Sequence, residues 1–403
     1  MHMYDNFKTK RWICFLAALL ICVCAGFGYS WSVLQGPIVE KFGWKEGAVS
    51  LTFTITVVCS TMSPLLFGAI IQKISTRKCI LIGAVLFGGG LLLAGMMTSL
   101  WQLYVFFGVL SGLGCGFIYP SLMAYVVKLF PDKSGLASGL GTAAYGSGAI
   151  IWAPTAAALI AETSIGTTLL TLGAVFLAII LAGDLFLKEV PEEWQSLMAQ
   201  NAQPTRQNTE AARGLKRSEM LKNPAFYIIA ATFTFGLIAG IMVISQASPI
   251  LQTTAGFSPE KAAIFVSIFA ACNMAGRFLF GSISDKIGIP KTMTIVFVLC
   301  AASMAILALG VGSACVVAAM GVAAACYGGF ASVLTPLTAD VFGAKYITEN
   351  YGAMYVVFGI ASLVGPVMAS YFKGMGSYAG AFLTAAVLAV IGLVLSRFIK
   401  KQV

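Results

Sequence analysis

The chain has 403 residues, of which 59% are hydrophobic and only 10% charged, against about 25% charged for an ordinary soluble domain. That balance excludes a soluble globular protein, and the net charge of +10 would suggest nucleic acid only if the basic residues formed a patch. They do not: they fall in short polar turns between long apolar runs.

Twelve such runs follow one another near 12–36, 48–71, 78–99, 102–128, 135–162, 165–187, 223–247, 260–285, 291–312, 314–340, 347–372 and 378–399. Each is long enough to cross a bilayer as a helix, which needs about 17–25 residues. With the first residue placed in the cytoplasm, Lys8, Lys10, Arg11, Lys73, Arg77, Lys78, Lys128, Lys133, Lys286, Lys291, Lys345, Arg397, Lys400 and Lys401 share that side. Lys41, Lys45, Lys261 and Lys373 face the other. The positive-inside rule then predicts both termini cytoplasmic. The first run continues into the fold without a small-residue cleavage site, so no removable signal peptide is expected.

Between the sixth and seventh runs, residues 188–221 are rich in Pro, Gln and charge, which predicts a cytoplasmic linker carrying one surface helix. It separates a half at 1–187 from a half at 222–403. The halves repeat one another: "LLFGAIIQKISTRKCILIG" (65–83) aligns with "FLFGSISDKIGIPKTMTIV" (278–296) at an offset of 213. Six spans per half make the repeats parallel. Parallel repeats are a transporter architecture, with cargo held between halves that rock.

The ten cysteines are scattered through the apolar runs and are expected as small packing residues. The only histidine is His2, which excludes histidine-based metal sites, triads and proton relays within the spans. No cofactor or metal is expected, and catalytic residues are absent: the chain is not read as an enzyme.

One residue breaks the apolar pattern. Arg277 lies eight residues before Asp285, about 12 Å deep in a ~30 Å slab. A guanidinium there costs at least about 2.5–3.5 kcal/mol and must face the bundle interior and a partner. Asn273 and Gly281 share its helix face. Asp184 and Asp340 sit near basic residues at helix ends, so no protein carboxylate matches the arginine. The natural partner is a transported carboxylate, which the guanidinium fork holds bidentately; the alternative is that Arg277 ties down carbonyls of a broken helix. Counting depth from the nearest charges also brings Tyr119, Tyr145, Tyr327 and Tyr355 towards the middle, with Tyr29 farther out. Glycine clusters at Gly88 to Gly90, Gly112, Gly114, Gly116, Gly135, Gly139 and Gly141 are expected to allow close helix contact.

The segment Gly281, Asp285, Lys286, Gly288, with a degraded copy at Gly68, Gln72, Lys73 and Ser75, resembles the loop between the second and third helices of each half in the major facilitator superfamily. The resemblance covers essentially the whole chain. It implies an all-α membrane protein of twelve spans in two six-helix repeats. Gln72 stands where an acid is usual, which implies a weaker gating pair in the first half.

Within the superfamily, "YSWSVLQGPIVEKFGW" (29–44) and "LFPDKSGLASGLGTAAYGSG" (129–148) are similar to oxalate/formate antiporters and monocarboxylate transporters. Both groups are implied to move small carboxylates with an arginine in the eighth helix, which Arg277 matches. Tyr29, Tyr119, Tyr145 and Tyr327 fall at pocket-aromatic positions of the oxalate relatives. Those relatives carry a lysine where this chain has Phe358. One cation facing an apolar ring favours a monoanion such as lactate, pyruvate or propionate. The resulting expectation is a secondary transporter of small monocarboxylates, proton-coupled, with a carboxylate antiporter as the alternative. Its substrate residues would be Arg277, Asn273, Tyr29, Tyr119, Tyr145, Tyr327, Tyr355 and Phe358. Asp285, Lys286, Gly281, Lys133 and Asp340, with Lys345 and Glu349, are expected at the cytoplasmic gate. The partners expected are a small carboxylate, protons and lipid, and no nucleic acid, for a functional monomer in a bacterial inner membrane.

Overall fold

The computed structural model describes residues 2–130, 134–191, 194, 214–343 and 346–399. Twelve membrane-length helical spans follow in chain order: α1 (Lys10–Phe42), α2 (Glu46–Phe67), α3 (Thr76–Gly95), α4 (Leu100–Leu129), α5 (Gly139–Glu162), α6 (Ile165–Phe186), α7 (Pro224–Ala255), α8 (Pro259–Ile287), α9 (Ile289–Leu309), α10 (Ser313–Phe342), α11 (Asn350–Gly374) and α12 (Ala379–Ser396). In hydrocarbon every backbone N–H and C=O must be satisfied within the segment, so apolar runs of this length become helices. Their ends follow local chemistry. The side chains of Ser164 and Ser258 accept from the backbone N–H of Thr167 and Lys261, at 3.2 and 3.3 Å, contacts worth about 1 kcal/mol each. Gly43 and Gly256 stop α1 and α7 at φ of 65° and 69°, a left-handed conformation that glycine alone adopts without strain.

The spans pack through small residues, because lipid tails offer no hydrophobic drive and close backbone approach must supply the contact. Added Cβ atoms at Gly88, Gly112, Gly114 and Gly116 would collide with neighbouring helices, whereas Gly89 and Gly139 face open space. Only part of each glycine cluster therefore marks a helix crossing. The ten cysteines are free; Cys22, Cys24 and Cys300 are buried as expected, but Cys315 is exposed.

Besides α4, which carries a π-helical stretch at Tyr104–Ser111, three spans are interrupted, which apolar run length could not reveal. In α1 a 3-10 turn, Gly26–Ser30, separates two α-helical pieces. In α5 the helix breaks at Ser147, and the helix feeding α11 breaks at Tyr355. The first two breaks touch. An added Cβ on Gly26 would overlap the Tyr145 carbonyl oxygen and lie 3.1 Å from the Gly148 Cα.

Hydrogen bonds between the halves concentrate at the end of the bundle away from both termini. Gln35 and Gln246 exchange donors at 3.2 and 3.1 Å, and Gln246 also donates to Ser50 Oγ at 2.8 Å. Lys373 Nζ reaches Glu46 Oε1 at 2.6 Å, and Thr54 Oγ1 donates to the Ser362 carbonyl at 2.7 Å. At the terminal end, the described polar contacts stay within a half or reach the linker. Arg77 pairs with Asp184 at 3.2 Å. Arg11 packs over the rings of Phe130 and Trp194 at 4.7 and 5.2 Å. Leu215 N donates to the Phe342 carbonyl. Of the linker helix expected, a short turn at Arg217–Met220 is described.

Candidate functional site

The irregular turns of α1, α5 and α11 bring their tyrosines to the arginine of α8. Arg277 Nε donates to Asn273 Oδ1 at 3.3 Å, the pairing expected four residues apart on one helix face. Arg277 Nη2 crosses to the other half and donates to the Tyr29 hydroxyl at 3.3 Å. Gly146 lies beside the guanidinium, where a Cβ would sit 3.4 Å from Nε. The residues flanking the break in α5 thus leave room for the charge.

Close packing of α8 on α10 holds Asn273 in place. A Cβ on Gly276 would overlap the Ala325 carbonyl, and one on Gly328 would meet both the Asn273 carbonyl and its Oδ1. The Asn273 side chain is 1% exposed, and its Nδ2 has no hydrogen-bond partner among the described residues. An unmet buried donor costs about 1–3 kcal/mol, so this amide and the remaining guanidinium N–H groups are ready to receive an acceptor.

Around them the rings form one continuous cluster. Tyr29 lies 5.6 Å from Tyr145 and 6.4 Å from Tyr327, and Tyr119 lies 4.4 Å from Tyr145. Tyr327 and Tyr355 approach Phe358 at 6.0 and 4.9 Å. The phenols of Tyr29, Tyr119, Tyr327 and Tyr355 are all within Coulombic reach of Arg277. Every substrate-site residue expected from the sequence is therefore in one neighbourhood. Among the described residues no carboxylate pairs with Arg277. Asp184 is held by Arg77 and Glu46 by Lys373.

The gate residues are less assembled. Asp285, Lys286 and Asp340 are exposed at the ends of α8 and α10, and no ion pair joins them to a described residue. Gly281 is open towards Ser332. Lys133 and Lys345 lie outside the described residues, as do the side chains of Gln72, Lys73 and Glu349.

Nothing in the apolar pattern warned of a cavity bordered by Tyr29. It has a volume of about 70 Å³ and is bordered by Tyr29, Tyr145, Tyr327, Tyr355 and Phe358 together with Phe27, Phe53, Phe107, Ile241 and Ile244. An apolar residue in a membrane run looks the same whether it faces lipid or a cavity. The glutamine pair across the halves did carry a signal, because Gln35 and Gln246 are strongly polar residues inside apolar stretches.

Twelve helical spans in two repeats, with a charged, ring-lined centre between them, define a membrane transporter. The Major Facilitator Superfamily profile matches residues 16–325 and 275–402, and the chain belongs to that superfamily. It is 27% identical over 393 residues to the oxalate:formate antiporter of Oxalobacter formigenes, covering 97% of this chain and 91% of that protein. It is 25% identical to monocarboxylate transporter 12 of Mus musculus, over 85% of this chain and 76% of the relative. The crystal structure of a bacterial homologue of the human lysosomal transporter Spinster, inward-facing and occupied, superimposes with a TM-score of 0.71 at 15% identity, covering 98% and 97% of the two chains. That likeness concerns the fold alone.

Proposed function

We propose that this transporter carries small monocarboxylate anions, of which lactate and pyruvate are simple members, by alternating access. The observation carrying the reading is Arg277: a guanidinium at the junction of the halves, joined to an amide oxygen and a phenol and to no described carboxylate. Its charge is balanced when a carboxylate arrives, and a fork of two N–H groups matches the two oxygens. Names of relatives that handle oxalate, formate and monocarboxylates agree with this class.

A monoanion is favoured over a dianion because Phe358, apolar and 5% exposed, lines the cavity where a second cation would be needed. Burying an unpaired second carboxylate is costly. The halves can close around the site only once Arg277 is neutralised, which ties movement to occupancy. Proton coupling then falls to a group other than that carboxylate, whose charge Arg277 needs: Asp340 lies exposed at a helix end, whereas Asp184 is engaged by Arg77.

Purified protein in liposomes tests both parts. An inward proton gradient should drive accumulation of labelled lactate, pyruvate or propionate in vesicles without internal acid. Uptake that needs internal carboxylate and ignores the gradient would establish exchange instead, and absence of any carboxylate flux would remove the proposal.

A further inference from the structure

We propose that the preferred cargo is a monocarboxylate with a bulky apolar tail, branched aliphatic or aryl, whose carboxylate meets Arg277 while the tail lodges in the cavity beyond Tyr29. This rests on the carboxylate reading above and adds which acids the site selects. Tyr29 connects the two regions: its hydroxyl accepts from Arg277 Nη2, and the same residue borders the cavity. Tyr29 is therefore the wall past which the tail of a ligand held at the guanidinium would enter the apolar space.

The chemistry of the walls decides what that space accepts. Phe27, Phe53, Phe107, Ile241, Ile244 and Phe358 are among the apolar residues that line it. Three of the hydroxyls among the other lining residues have already committed their protons to backbone carbonyls. Thr56 Oγ1 donates to the Thr52 carbonyl at 2.9 Å, Thr61 Oγ1 to the Val57 carbonyl at 2.9 Å, and Ser111 Oγ to the Phe87 carbonyl at 3.2 Å. Cys115 Sγ and the Tyr145 hydroxyl face each other at 3.2 Å. A polar tail would lose its water against a predominantly apolar wall, whereas an apolar tail gains dispersion contacts there. A two-carbon or three-carbon acid leaves most of the wall area untouched.

The test is a ladder of affinities on the unmodified protein, read by ligand-induced thermal shift. The acids are acetate, propionate, butyrate, 4-methylpentanoate and phenylacetate, with 4-methylpentanol as a tail lacking the carboxylate. Affinity should rise about fourfold for each methylene buried, up to the largest tails, with the alcohol far weaker than its acid. Val57→Trp, which fills the cavity from α2, should lower affinity for phenylacetate at least about tenfold relative to acetate. A flat or falling ladder in which acetate still binds would overturn this inference and leave the carboxylate reading standing. No binding by any acid would overturn both. An alcohol as tight as the acid would show an apolar hole unrelated to Arg277, and would overturn the inference as well.

Discussion

The second and eighth spans occupy equivalent places in the two repeats, yet they meet the candidate site with opposite chemistry. At the repeat offset of 213, Asn273 and Arg277 of α8 fall on Ser60 and Pro64 of α2. One copy carries an amide and a charge; the other carries a small hydroxyl and a proline inside the helix. Both spans face the centre, and Ser60 borders the cavity while Arg277 binds across to Tyr29. Duplication therefore supplied two similar walls, and divergence left one with a charge and the other with a small hydroxyl beside an apolar cavity. A symmetric pair of arginines would instead have suited a dianion.

The sharpest way to break this division is to remove the charge. Arg277→Ala should weaken monocarboxylate binding by at least about 30-fold, since loss of one partner of a buried charged pair costs about 2–5 kcal/mol. Arg277→Lys should retain part of that affinity, because a point charge replaces a fork. Binding isotherms of both variants measure this, and full affinity in Arg277→Lys would argue against bidentate recognition. Giving the opposite wall a charge should blur the asymmetry. Phe358→Lys is expected to raise dicarboxylate affinity about tenfold and lower that for monocarboxylates, checked by competition with oxalate and propionate.

Two smaller effects concern the scaffold between the walls. Gly26→Ala pushes a methyl into the Tyr145 carbonyl and should destabilise the protein by about 1–3 kcal/mol, seen as a lower thermal midpoint without ligand. Lys373→Ala removes a half-exposed ion pair to Glu46 and should cost under about 1 kcal/mol. Its expected readout is a modest shift of spin-label distances across the end remote from the termini towards the open form; unchanged distances would mean that the glutamine pair alone closes that end.

How much of this was legible in the sequence depended on contrast. Arg277 stood out because charge is expensive in an apolar run, and Asn273 followed from helix period, so their contact was readable in advance. The spans were readable from length, and depth brought Tyr119, Tyr145, Tyr327 and Tyr355 towards the middle; Tyr29, counted farther out, joined them only through the family resemblance. The 3-10 turn at Gly26–Ser30 was not, since glycines are common in membrane helices and do not announce a break. Nor were Phe53, Val57, Ile241 and Ile244 as cavity walls. The α7 stretch from Gly236 to Leu251 is buried without interruption, and its sequence offers no polar face to say so. The pairing of Gln35 with Gln246, 211 residues apart, depends on how the halves meet, which neither local pattern nor composition encodes.

The interruptions in α1, α5 and α11 fall at the level of Tyr29, Tyr145 and Tyr355. A rod yields at its weakest joint, and a helix whose ladder of hydrogen bonds is broken is weakest at the gap. Three of the helix interruptions thus lie in the same thin layer as Arg277 and its surrounding rings, so flexing need not travel from a distant hinge to be felt there. Stiffening any one of these joints would slow the machine even if every contact to the passenger were preserved.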